Sequence, residues 1–207
     1  MAERPILVVG SNNRKKAAEL VTLLEPLGIE VRTLVDYPDS LTVDEDGETF
    51  LYHATKKAVE QAQHLKTWVL ADDSGICIDA LDGRPGVHSA YFAGPEATDE
   101  ENNAKLLREL IDVPEEKRTA HYVCYVVLSD PEGNVCAHTI GKCEGRILWE
   151  EQGEGGFGYD PLFEIPEYGK TFGVLPAEIK HQLSHRGKAL RAMVPHIQTH
   201  MLGTNPA

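Results

Sequence analysis

Short apolar runs and helical stripes of apolar residues follow one another along this chain, and their order predicts its elements. Pro5 to Val9 reads as a buried strand ending in Gly10-Ser11-Asn12-Asn13, residues suited to a turn and a helix N-cap. Ala17, Leu20, Val21, Leu24 and Leu27 then recur at helical spacing, with Gly28 as the stop. Ile29 to Arg32 alternates as a second strand. An acidic loop covers Thr42 to Gly47, and Thr49 opens a helix whose stripe is Phe50, Ala54, Ala58 and Ala62. Thr67 to Ala71 is a third strand. It runs into a predicted turn, Asp72-Asp73-Ser74-Gly75, and Ile76, Ile78 and Ala80 alternate as a return strand.

The second half begins with a capping box at Thr98 to Glu101, backed by Leu106, Leu107, Leu110 and Ile111 as an apolar face. From Thr119 the pattern is β: two strands flank the turn Asp130 to Asn134, and a third ends near Trp149. A glycine-rich loop spans Gly153 to Gly158. Glu178 to Met201 has helical propensity, with Pro195 expected to kink or divide it. Helices and strands are mixed without a strict βα repeat, which predicts an α/β fold with a mixed central β-sheet flanked by helices.

Composition narrows the function classes. The chain has 207 residues, enough for one domain or for two lobes sharing a sheet. Its formal net charge of -13 repels phosphate backbones, so no nucleic-acid and no membrane-surface role is expected. An anionic ligand would need local basic residues and a metal to overcome that field. Cys77, Cys124, Cys136 and Cys143 form no C-x-x-C pair and read as free thiols rather than zinc ligands. Glu3-Arg4-Pro5 leads directly into a very short apolar run, so no signal peptide is read and a cytoplasmic setting is expected.

Several segments carry candidate chemistry. Lys15 and Lys16 fall in the first turn of a predicted helix, where free N–H groups favour an anion, and Ser11 and Asn13 add donors. Asp72 and Asp73, at the end of a buried strand, offer hard oxygen ligands of the kind Mg²⁺ accepts while bridging to phosphates. Glu45 could complete such a site. Lys57 lies about two turns beyond Phe50 and fits a polyphosphate tail. Gly153 to Gly158 matches G-x-G-x-x-G, but Tyr159-Asp160-Pro161 follows where a dinucleotide site requires a helix. The glycines instead let backbone approach a ligand, with Phe157 as a stacking face. Ser184-His185-Arg186-Gly187-Lys188 reads as a helix start whose His and Arg could recognise a carbonyl-bearing base.

The order of these segments is more specific than any one of them. Ser11 to Lys16, Glu45 with Gly47 to Phe50, Ala71 to Gly75, Gly83 to Val87, Gly155 to Phe163 and Ser184 to Lys188 follow in succession. Together they resemble the inosine triphosphate pyrophosphatase family, from Ile6 to roughly Arg191, with GGFGYDPLF and SHRGKAL as the most specific stretches. The resemblance implies Mg²⁺-dependent hydrolysis of ITP, dITP and XTP to the monophosphate and pyrophosphate. It implies a single pyrophosphatase domain over residues 1–207, of two lobes with a nucleotide cleft between them, acting as a homodimer.

By position, Asp73 would be general base and metal ligand, with Glu45 as second ligand. Ser11, Asn12, Asn13, Arg14, Lys15 and Lys16 would hold the triphosphate, Lys16 and Lys57 serving catalysis. Ser74, Phe157, Gly158, Tyr159, Asp160, Lys180, His185 and Arg186 would line the nucleotide pocket. The chain departs from the family pattern at Asn12 (usually glycine), at His53 (asparagine), and at His88 and Tyr91, where tyrosine and arginine are usual.

Two other readings keep the acidic segment. One is a related pyrophosphatase for other modified nucleotides. The other is a receiver-like module with Asp73 as phosphoacceptor, which the long β-rich second half disfavours. A haloacid-dehalogenase-type phosphatase would need Asp-x-Asp, and Asp72-Asp73-Ser74 does not supply it.

Overall fold

A computed structural model describes residues 4–11, 20, 21 and 24–204 of the chain. Its strands are β1 (Ile6–Val9), β2 (Glu30–Thr33), β3 (Trp68–Ile78), β4 (Thr119–Ser129), β5 (Val135–Ile147), β6 (Phe163–Ile165) and β7 (Lys170–Thr171). Its longer helices are α1 (Phe50–Leu65), α2 (Asp99–Glu109), α3 (Ala177–Leu183) and α4 (His185–Leu202). The strands form one sheet in the order β2-β1-β3-β4-β5-β6-β7. β1 is parallel to β2 and β3, whereas β5, β6 and β7 pair antiparallel, so the sheet is mixed as the pattern predicted.

The chain divides into two compact units, residues 1–73 with 124–141 and 187–207, and residues 74–123 with 142–186. In the first unit, strand alternation sends side chains to two faces. Val69, Ala71 and Val127 meet α1 through Ala54, Ala58 and Ala62. Leu7, Val9, Leu70, Cys124, Val126 and Leu128 meet Ala189, Leu190, Met193 and Ile197 of α4, together with Leu20 and Leu24. In the second unit Ile76, Ile78, Tyr122, Phe163 and Phe172 bury against Leu106 of α2 and Leu110 at its C-cap. Among the described residues, no helix is long and apolar enough to cross a membrane.

Caps and stops follow the sequence reading. Thr49 caps α1 by accepting from the Tyr52 N–H, and Thr98 with Glu101 forms the predicted capping box on α2. Gly28 takes the left-handed conformation expected of a helix stop, at φ 72°. Four expectations differ. Asp72 to Gly75 is no turn: β3 runs unbroken from Trp68 to Ile78, because sheet pairing outweighs the turn preference of Asp, Ser and Gly. The strand after the Asp130 turn is likewise single, Val135–Ile147, through Gly141 and Gly145. The C-terminal helix divides at extended Ser184 (ψ 148°) and not at Pro195, which lies inside α4. The apolar face of α2 extends only to its C-cap Leu110, for Ile111 is 66% exposed.

Candidate active site

The position of Asp73 follows from where a neighbouring strand stops. β1 accompanies β3 only as far as Val9 opposite Leu70. Gly10 closes that edge by donating to the Leu70 carbonyl, and a Cβ on Gly10 would lie 3.1 Å from that of Ala71. Beyond Leu70, β3 continues without β1, and its next polar residues are Asp72 and Asp73. Alternation separates the two carboxylates. Asp73 shares the face of Val69 and Ala71, which packs on α1, whereas Asp72 shares the face of Leu70.

α1 supplies the partners. Its alanine stripe allows close approach to β3 and presents His53 and Lys57, four residues apart, beside Asp73. The Lys57 ammonium donates to Glu45 Oε1 at 2.8 Å and to Asp73 Oδ1 at 2.9 Å. His53 Nδ1 lies 3.2 Å from Asp73 Oδ2 and 4.0 Å from Glu45 Oε2. Glu45, His53 and Asp73 each offer one donor atom to a group whose members all lie within 4.8 Å of one another. Carboxylate oxygens and an imidazole nitrogen are suitable ligands for a divalent cation, so this donor set fits a metal.

Two carboxylates face one ammonium here. Burial raises the Asp73 pKa above the ordinary carboxylate range, Lys57 opposes the rise, and Glu45 adds to it. Burial alone would lower the Lys57 pKa, but the carboxylates of Asp73 and Glu45 hold it above the ordinary lysine value. A buried carboxylate with a raised pKa beside an ammonium is a suitable candidate for a proton acceptor.

A different constellation forms in the second unit. Asp160 receives the Lys180 ammonium and accepts from the Phe157 N–H at 2.8 Å. Burial raises its pKa, against the pull of Lys180. Gly156 has φ 84°, and a Cβ there would fall 2.1 Å from Asp160 Oδ2, so glycine is what permits this loop closure. Lys180 sits 4.8 Å from the centre of the Phe157 ring and Arg186 5.9 Å from it. Phe157 remains 57% exposed, which leaves ring surface for a ligand. His185 stacks on Tyr122 at 4.7 Å and 8°, and Arg186 donates to Ser74 Oγ at 3.0 Å. Cations, aromatic faces and a hydroxyl thus gather around one loop.

The structure therefore brings Glu45, Lys57 and Asp73 together in one unit, and Ser74, Phe157, Asp160, Lys180 and Arg186 in the other. Tyr159 is buried and donates to the Ser89 carbonyl, holding the loop rather than offering its hydroxyl. Ser11 follows β1, its N–H donating to the Val9 carbonyl. Asn12, Asn13, Arg14, Lys15 and Lys16 lie outside the described residues. Sequence reasoning assigned no role to His53, Tyr122, Asp99 or Asn103. Asp99 accepts from the Gly158 N–H and Asn103 donates to the Gly158 carbonyl, so one helix face grips both sides of that residue. Their i, i+4 spacing was legible, but their shared target, 59 and 55 residues away, was not.

Fold and site together define a nucleotide-handling α/β protein with a metal-competent acidic cluster, and comparison with known proteins agrees. The profile of the Ham1 family matches residues 7–196. A dITP/XTP pyrophosphatase of Rhodopirellula baltica is 53% identical over 191 residues, covering 92% of each chain. One of Desulforamulus reducens is 50% identical over 186 residues, 89% of this chain and 92% of that one. Among solved structures, a HAM1 protein from Coxiella burnetii aligns with TM-score 0.86 at 35% identity, covering 92% of this chain and 96% of that one. The Staphylococcus aureus Ham1 protein aligns with TM-score 0.85 at 34% identity, over 93% and 98%. This chain belongs to the Ham1 family.

Proposed function

We propose that the chain, acting as one functional domain over residues 1–207, hydrolyses non-standard purine nucleoside triphosphates, ITP, dITP and XTP, to the monophosphate and pyrophosphate. The observation that carries this reading is the Glu45, Lys57 and Asp73 cluster at the point where β3 outruns β1. Relatives at 53% and 50% identity that bear the name dITP/XTP pyrophosphatase support it.

In this reading Asp73 orients a water and takes its proton as the water oxygen bonds to the α-phosphorus. The α–β phosphoanhydride bond breaks, and pyrophosphate leaves with the electron pair. Lys57, with Lys15, Lys16 and the rest of the Ser11 to Lys16 segment, balances the charge on the leaving group. Glu45 and Asp73 would hold Mg²⁺, which when bound withdraws charge from the phosphate oxygens. Phe157 offers its ring to the purine, while Arg186, His185 and Lys180 supply donors for a 6-oxo group. Adenine presents an amino group at that position, leaving such donors unmatched, which is a large penalty in a closed site. Four free cysteines suit a reducing cytoplasm, and the family resemblance carries a homodimer.

The test is product analysis with ITP, dITP, XTP, ATP and GTP, with and without Mg²⁺. Metal-dependent release of pyrophosphate from the first three is expected. Orthophosphate as first product, or equal turnover of ATP, would overturn the reading. Size-exclusion chromatography with light scattering checks the dimer.

A further inference from the structure

The buried imidazole of His53 is the one member of the acidic cluster that the proposed reaction leaves without a task. Its side chain is 0% exposed, yet its Nδ1 faces two carboxylates. Lys57 occupies only one oxygen of each: Oε1 of Glu45 and Oδ1 of Asp73. The other two oxygens, Oε2 and Oδ2, are those nearest His53 Nδ1, at 4.0 and 3.2 Å. Donors held about 2.1 Å from one cation stand about 3.0 Å apart when adjacent and about 4.2 Å apart when opposite. The two distances fall in that span.

The far side of the ring is arranged for the same task. Nε2 lies 2.9 Å from the carbonyl oxygen of Gly47 and 3.0 Å from its N–H. With the proton on Nδ1, His53 donates to Asp73 and Nε2 accepts from the Gly47 N–H. With the proton on Nε2, His53 donates to the Gly47 carbonyl and turns a lone pair toward Glu45 and Asp73. The second arrangement is the one metal-bound histidines adopt, the outer nitrogen donating to a carbonyl. Gly47 serves both tautomers without backbone movement. A Cβ at this position would lie 2.1 Å from the Tyr52 ring, so a larger residue would require that ring to shift.

We propose that His53 Nδ1 is a third protein ligand of the cation held by Glu45 Oε2 and Asp73 Oδ2, and that this site selects a first-row transition dication over Mg²⁺. The proposal rests on the reading of Glu45 and Asp73 as metal ligands. An imidazole nitrogen adds little for Mg²⁺, which prefers oxygen, but strengthens binding along the series from Mn²⁺ to Co²⁺.

The test measures metal binding on the nucleotide-free protein. Calorimetry should place the Co²⁺ dissociation constant about tenfold or more below that of Mg²⁺, with Mn²⁺ between them. Pulsed EPR of the Mn²⁺ protein should show coupling to an imidazole nitrogen. His53→Asn should weaken Co²⁺ binding by about tenfold or more and Mg²⁺ binding much less, and should erase the nitrogen coupling. Absence of that coupling in the unaltered protein overturns the role of His53 whether or not the variant folds. Equal weakening of both metals would make His53 a purely structural residue. The Glu45→Gln, Asp73→Asn double variant should bind neither ion. Ion binding that survives it would overturn the metal reading of the proposed function along with this one.

Discussion

The two side-chain groups of this protein solve opposite problems with similar materials. Around Asp73, two carboxylates and an imidazole surround a single ammonium, so the group carries excess negative charge and gains from a cation. Around Phe157, Lys180 and Arg186 face one carboxylate, Asp160, beside an exposed ring, so the group gains from oxygen acceptors and a flat apolar face. In a chain of net charge -13, the first group is the one a metal cation would neutralise, and the second carries fixed basic residues of its own. The contrast explains why neither group alone identifies a nucleotide enzyme.

The sharpest way to break this contrast is at Asp73. Asp73→Asn should lower kcat for dITP by about 10³-fold, within the range for a lost general base, while circular dichroism shows an intact fold. Near-normal turnover would remove Asp73 from the base role. Next in size is Arg186→Met, expected to lower kcat/KM for ITP by about 10²-fold while ATP changes little, so that discrimination narrows. A uniform loss on both nucleotides would show that Arg186 does not read the base.

Lys57→Met separates charge balance from chemistry. It leaves Glu45 and Asp73 facing each other without their shared cation, at a loss of roughly 2 kcal/mol in the metal-free protein after allowing for partial exposure. Millimolar Mg²⁺ should recover more thermal stability in this variant than in the unaltered protein. Equal recovery would contradict the idea of excess negative charge.

The smallest effect concerns Asp160. Its folded pKa is raised by burial, so ionising it costs stability. That cost is absent below the ordinary carboxylate value and complete above the raised one. The stability of the unaltered protein relative to Asp160→Asn should therefore fall as pH rises through that window. A flat or rising difference in melting temperature would oppose the assignment.

Much of this was legible in the chain. Thr49, Thr98 with Glu101 and Gly28 announced their caps and stop because capping depends on residues within one turn. The apolar runs at Ile6 and Trp68 announced buried strands for the same local reason. The acidic segment misled at the same range: Asp-Asp-Ser-Gly is turn chemistry, yet β3 passes straight through it. Pro195 misled too, since α4 tolerates it while Ser184 makes the break. His53 was visible only as a departure from a family pattern, because its partner Asp73 is twenty residues away.

By itself, the sequence determined that this is an acidic α/β protein of the pyrophosphatase type, since composition, periodicity and motif order are properties of the chain. It also marked Asp72 and Asp73 as one acidic pair. The family resemblance singled out Asp73 by position, but only the tertiary structure supplies the physical reason, because β1 ends at Val9 and α1 packs on one face of β3. That packing set Asp73 against Lys57 and His53, and it left Asp72 on the opposite face. Which oxygen meets which nitrogen depends on the approach of a helix to a strand, and no local propensity specifies that distance.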